Sequence, residues 1–172
     1  MLILFDIDGT LLKTGGLGRS VMQRAGRNML GRDITMDSMD FAGRLDPLIL
    51  SDLLQINGVE PTSAAIDEMR GHYTKLMPAA LRESPGVQPL EGAHPLVEQA
   101  AHIDNATLGV LTGNYEETGA TKLAVTGWSL DTFTIRVWGD ESPVRPHSRD
   151  QLPGVAIQRF GAHTGGAIAG ER

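Results

Sequence analysis

Two aspartates one residue apart, Asp6 and Asp8, stand directly after the short apolar run Met1 to Phe5. Carboxylates at this spacing, just past a strand, can both reach one site as the loop curls over. One can attack phosphorus and form an acyl phosphate; the other can protonate the leaving oxygen and then activate water. Their oxygens also suit Mg2+, a hard ion that takes oxygen ligands. The plainer reading is a pair of turn aspartates, since Asp-Gly is turn chemistry, but an apolar run leading straight into DIDGTLL weighs against it. A second group, Leu111-Thr112-Gly113-Asn114, closes the apolar run ATLGVLT. There the Thr112 hydroxyl and nearby backbone N–H groups can bind phosphate oxygens at a helix start, although such a tetrapeptide alone would be a helix cap. Chemistry on a phosphoryl group also needs a cation near the attacking carboxylate. Lys122, Arg145 and Arg149 are the candidates. A lysine within a helix is more often a solvated surface residue, and Arg149 stands just before a helix.

These residues need a sheet to hold them. Met1 to Phe5, apolar on both faces, suits a strand buried in the middle of a parallel sheet, and ligands of open α/β sheets bind beyond the carboxyl ends of strands. Apolar residues then recur at helical spacing from Leu17 to Leu30. A second helix begins near Pro47 and is closed by Asn57-Gly58, and a third is capped by Thr62 or Ser63 and runs through Leu81. Gly15 to Arg82 offers no convincing strand. After Pro85-Gly86 the pattern alternates: helix from Pro95 to Ile103, strand from Ala106 to Thr112, helix from Glu116 to Val125, strand from Thr132 to Trp138, helix from Leu152 to Phe160. The expectation is an α/β fold with a Rossmann-like parallel sheet, interrupted after its first strand by a helical insertion. Residues 1–14 and 85–160 would form the core, 15–84 the helical cap, and 161–172 a poorly ordered tail rich in Gly and Ala.

Composition narrows the classes. The 172 residues carry 15 Lys plus Arg against 21 Asp plus Glu, a net charge of −6, with 41% hydrophobic residues; this is the balance of a globular protein rather than a disordered chain. No apolar run approaches the ~20 residues of a membrane span, and the opening MLILFDIDG lacks the basic leader of a signal peptide. A cytoplasmic location without membrane partners is the expectation. The absence of cysteine excludes disulfides, thiolate chemistry and cysteine-held metals. The acidic balance makes nucleic acid a poor partner.

FDIDGTLL resembles the nucleophile motif of the haloacid dehalogenase superfamily, in its phosphatase branch, where aspartate stands at both positions. The resemblance implies that Asp6 is nucleophile and metal ligand, and that Asp8 is general acid/base with its backbone carbonyl a second metal ligand. Thr112 matches the family's hydroxyl motif, with Gly113 and Asn114 adding phosphate contacts. Arg149 would supply the cation where most relatives use lysine. The helical insertion resembles the small cap of these enzymes. Within it, Phe41-Ala42-Gly43-Arg44-Leu45-Asp46-Pro47 is similar to a segment of phosphoglycolate-phosphatase-like members, with Leu45 where those usually have threonine. Arg44 could therefore reach an anionic part of the substrate; a surface arginine in a loop before a helix is the equal alternative. The implied activity is Mg2+-dependent hydrolysis of a small phosphorylated metabolite.

The last family motif is an apolar strand ending in Gly-Asp with another acidic residue nearby. Here the one Gly-Asp is Gly139-Asp140, followed by Glu141, and 28 positions separate Thr112 from Asp140. Either Asp140 and Glu141 form a displaced acidic motif, or GDES belongs to the loop before the basic residue and the final motif has no counterpart. The short spacing favours the second. Such a loss would weaken metal binding and leave a sheet edge open to self-association. Two other classes therefore remain beside the hydrolase: a catalytically silent binding protein, and a phosphotransferase or mutase that passes the phosphoryl group to an acceptor other than water.

Overall fold

The computed structural model describes residues 1–166. Three parallel strands form the sheet: β1 (Leu2–Phe5), β4 (Thr107–Leu111) and β5 (Ile135–Val137), in the order β1-β4-β5. Leu2 lies opposite Thr107 and Gly109 opposite Ile135. The middle strand is thus β4. The expected central position of the first strand is corrected: among the described residues β1 pairs on one side only. Its all-apolar sequence is explained by helices on both faces rather than strands on both edges. Two further strands of two residues each, β2 (Leu12–Lys13) and β3 (Gln88–Pro89), pair antiparallel. They join the chain leaving the Asp6 loop to the chain returning from the helices, and nothing in their sequence announces them.

Alternation sends successive strand residues to opposite faces. On one side Phe5, Leu108 and Val110 pack with Val97 of α4 (Ala93–Ala101), Leu123 of α5 (Glu116–Val125), and the loop residues Trp128 and Phe133. On the other, Ile135 and Val137 pack with Leu152 and Ala156 of α6 (Leu152–Thr164). Helix α6 continues through 161–164, four residues into the expected tail; Gly165, at φ 71°, ends it. The rest of that tail, 167–172, lies outside the described residues.

The outer rim of β5 is closed by side chains. Val137 faces inward, its carbonyl accepting the Thr112 N–H at 3.1 Å, so Arg136 and Trp138 present their backbone groups outward. The Arg159 guanidinium donates to the Arg136 carbonyl, and Glu141 Oε2 accepts the Trp138 N–H at 2.8 Å. Arg159 and Glu141 are themselves joined by bonds of 2.8 and 2.6 Å.

Above the carboxyl ends of the strands lies a helical layer: α1 (Leu17–Leu30), α2 (Asp46–Ile56) and α3 (Ser63–Glu83). Thr62 caps α3, its hydroxyl accepting the Ala65 N–H at 3.2 Å. Val21, Met22 and Ala25 meet Leu50, Leu53 and Leu54 of α2 and Met69, Tyr73 and Met77 of α3 in one buried cluster, which Tyr115 joins from the loop before α5. Beside it Arg70 of α3 bonds Glu117 and Asp140, each at 2.9 Å. No helix among the described residues is long and apolar enough to cross a membrane.

Candidate active site

The chain turns sharply after β1. Ile7 N–H donates to the Asp6 side chain at 2.8 Å, and the Ile7 carbonyl accepts from both Leu11 and Leu12. Gly9, at φ 79°, supplies the left-handed conformation that a side chain disfavours. The turn leaves Asp6 and Asp8 above the sheet, facing the Thr112–Asn114 loop at the end of the neighbouring strand. All five line one cavity of about 230 Å³ together with Arg19, Arg44, Asp46, Lys122 and Arg149.

Thr112 is fully buried, and its Oγ1 accepts the Asn114 side-chain amide at 2.7 Å. Asn114 also donates to Asp8 Oδ2 at 2.8 Å. Lys122 bridges Asp8 Oδ2 at 2.7 Å and Asn114 Oδ1 at 2.6 Å. With 4% of its surface exposed, Lys122 is not the solvated helix residue expected. It shares the buried face of α5 with Thr118, Gly119 and Leu123, and that spacing of small and apolar neighbours was the readable signal. Arg149 reaches Asp6 Oδ2 at 2.5 Å from a short turn before α6. Arg145 instead donates to the carbonyls of Ser142 and Val144 and does not line the cavity. The arrangement thus holds two cations, one on each aspartate. Arg44 faces the cavity while paired with Asp52 at 2.6 Å.

Asp46, the first residue of α2, is the residue that sequence reading missed. Its N–H donates to the Gly113 carbonyl at 2.7 Å. Its Oδ2 accepts from the Tyr115 N–H at 3.1 Å and the Thr118 hydroxyl at 3.3 Å. Burial lifts its pKa from 3.8 to about 6 against the opposing pull of Lys122. An acid at a helix start looks like a dipole partner on the surface; only long-range packing makes it buried. Gly113 is gripped on both sides. A Cβ there would overlap the Arg44 carbonyl oxygen, and one on Gly139 would overlap Gly113 itself.

For a divalent ion the cavity offers Asp6 and Asp8. One or two carboxylates, completed by waters and substrate phosphate, are the ligand set Mg2+ commonly uses, so these residues fit it as a two-carboxylate site. Asp140 and Glu141 do not add to it: Asp140 is turned to Arg70 and Glu141 to Arg159. Among the described residues no group of three or more metal-binding side chains forms. Residues 139–142 lie in the loop after β5.

No family model matches the chain, and no curated protein does. Solved structures do. CbbY from Rhodobacter sphaeroides, in complex with xylulose-1,5-bisphosphate, aligns with a TM-score of 0.74 at 19% identity over 92% of this chain and 72% of its own. A hydrolase from Pseudomonas syringae gives 0.70 at 18% identity over 92% and 69%. A predicted phosphoglycolate phosphatase from Haemophilus somnus gives 0.64 at 16% identity over 96% and 72%. The chain shares the α/β fold of these proteins.

Proposed function

We propose that the protein is a phosphatase that hydrolyses a small phosphate monoester through a phospho-aspartate on Asp6. The observation that carries this is the convergence of Asp6, Asp8, Thr112, Lys122 and Arg149 on one cavity at the strand ends. An Asp6 carboxylate oxygen attacks phosphorus, the ester P–O bond breaks, and the leaving alkoxide takes a proton from Asp8. Asp8, now ionised, takes a proton from water; the resulting hydroxide attacks phosphorus, the P–O bond to Asp6 breaks, and phosphate leaves. Lys122 and Asn114 hold Asp8 through Oδ2, which orients the carboxyl for both transfers. Arg149 fixes Asp6 and places positive charge where phosphoryl oxygens collect. Thr112, Gly113 and Asn114 line the side of the cavity facing the transferred group. Asp6 and Asp8 would also hold Mg2+, which when bound neutralises charge on the phosphoryl oxygens. Residues 15–84 act as the cap that excludes bulk water from the reaction.

The test is phosphate release from p-nitrophenyl phosphate, with Mg2+ and with EDTA, for wild type and Asp6→Asn. Release by the wild type that falls at least about a thousandfold in a folded Asp6→Asn variant is the expected result. Equal turnover in the variant would sink the mechanism, and no release from a folded wild type would leave the silent binding protein in its place.

A further inference from the structure

The two margins of the sheet are finished differently. At β5 the outward backbone is covered by Arg159 and Glu141. At β1 it is bare. The register with β4, together with the Thr107 N–H that donates to the Met1 carbonyl at 2.8 Å, turns the backbone of Met1, Ile3 and Phe5 toward β4. Leu2 and Leu4 therefore aim their N–H and C=O groups the other way, and among the described residues nothing bonds them. No charged residue or proline, the usual guards of an open edge, stands in Leu2–Phe5.

Beside this edge α4 carries two stripes. Ala93, Val97 and Ala100 are buried with the sheet. Leu96, Gln99 and, just past the helix, Ile103 are turned to solvent, with Leu96 55% and Ile103 47% exposed. Together with Ala100, Ile3 and Phe5 they line a groove of about 420 Å³ along β1. None of the six is charged, in a chain of 15 Lys plus Arg and 21 Asp plus Glu.

That combination selects the occupant. A partner steered by charge is met by charged residues, whereas two copies of a chain at −6 can meet closely only across a face where like charges are not opposed. The bare backbone groups are also self-complementary. A two-fold axis through the sheet beside Ile3 runs β1 antiparallel to its copy, with Leu2 of one protomer opposite Leu4 of its partner. Each such pair exchanges both N–H···O=C bonds, so every bare group of Leu2 and Leu4 is used. The same axis lays α4 against α4 of the partner on one face and closes Leu96 and Ile103 over the junction. Edge bonds alone fall short of the roughly 800 Å² per partner that a stable contact buries, which makes the α4 stripe a necessary part of it.

We propose that the outer edge of β1 and the exposed stripe of α4 form a homodimer interface, joining two three-stranded sheets into one of six strands. The interface shares no residue with the strand-end cavity, so it stands whether or not the phosphatase reading does.

Sedimentation velocity of the full chain between about 1 and 300 µM measures its mass, and amide exchange at both ends of that range reads the edge. A monomer–dimer equilibrium that saturates at the dimer is expected. Leu96→Glu and Ile103→Glu, each setting like charges about the axis from an exposed position, should weaken dimerisation at least about tenfold with circular dichroism unchanged. Ile56→Glu, at an exposed site on α2, should leave it as it was. The Leu4 amide should gain at least about tenfold protection on concentration in the wild type and none in Ile103→Glu. The Ile3 and Phe5 amides, bonded to β4, should stay protected throughout. A monomer at the highest concentration, a dimer indifferent to both α4 variants, or growth past the dimer into open chains would overturn the proposal. So would a Leu4 amide already protected in the dilute monomer, because the same chain would then be covering its own edge.

Discussion

Asp46 shows what a single buried carboxylate costs and does. Its folded pKa of about 6 lies above its ordinary 3.8, so between those values the folded protein holds the proton more tightly than the unfolded chain. Stability from this group therefore falls as pH rises through that window, by about 3 kcal/mol in all. Urea unfolding of wild type and Asp46→Asn at pH 4 and pH 7 should show the wild type losing that much relative to the variant at the higher pH. A difference that does not change with pH would mean that Asp46 is solvated. What the charge provides is an acceptor for the Tyr115 N–H and the Thr118 hydroxyl, joining the helical layer to the start of α5. Asp6, Asp8 and Thr112 were legible in the sequence because each abuts its own apolar strand. Asp46 was not, because its burial depends on a partner 69 residues away; Lys122 was legible as a candidate cation, but its pairing with Asp8, 114 residues away, was not.

At the scale of elements, the loop from Thr112 to Asn114 is a tight joint, with backbone pressed against Gly113. The helical layer binds it from above through Asp46 N–H, and the Gly139 N–H binds the Asn114 carbonyl from the other side. Gly113 is small because backbone passes on both faces. Gly113→Ala should cost about 1–3 kcal/mol by overpacking and should lift the Arg44–Asp46 segment away from the loop. A fall in thermal midpoint, together with faster exchange of the Asp46 amide, checks this; an unchanged amide would show that the loop gives way instead. The alternation of helix and strand after Pro85-Gly86 was readable from periodicity, and α5 lies where that periodicity put it. β5 is shorter than the run from Thr132 to Trp138, because Leu130–Thr132 winds into a single tight helical turn before the chain extends. The β2–β3 pair was invisible, since two residues carry no period.

Among the described residues, three buried clusters divide the work. The helical layer packs around Tyr73 and Met69, one face of the sheet around Val110 and Phe133, the other around Ile135 and Leu152, and Tyr115 reaches from the loop before α5 into the first. The parallel sheet and the helical insertion were legible as a pattern of elements; which strand would lie in the middle was not, because the sequence of an edge strand covered on both faces resembles that of a central one. The rim of β5 adds a different property. Burial pushes the Glu141 pKa up, but the Arg159 bonds, the Trp138 N–H and the guanidinium charge outweigh it, so the net shift is below 4.5. The pair accordingly contributes above that pH and is lost as acid protonates Glu141. The Trp138 amide is shielded by a carboxylate where a further strand would ordinarily shield it, and hydrogen exchange can tell the two apart. In Arg159→Ala, or in wild type below the folded pKa of Glu141, the Trp138 amide should lose at least about tenfold of its protection while the Thr112 amide, bonded to Val137, keeps its own. One margin of this sheet is thus gated by a proton, and its backbone becomes readable to solvent at a pH where the interior strands are still closed.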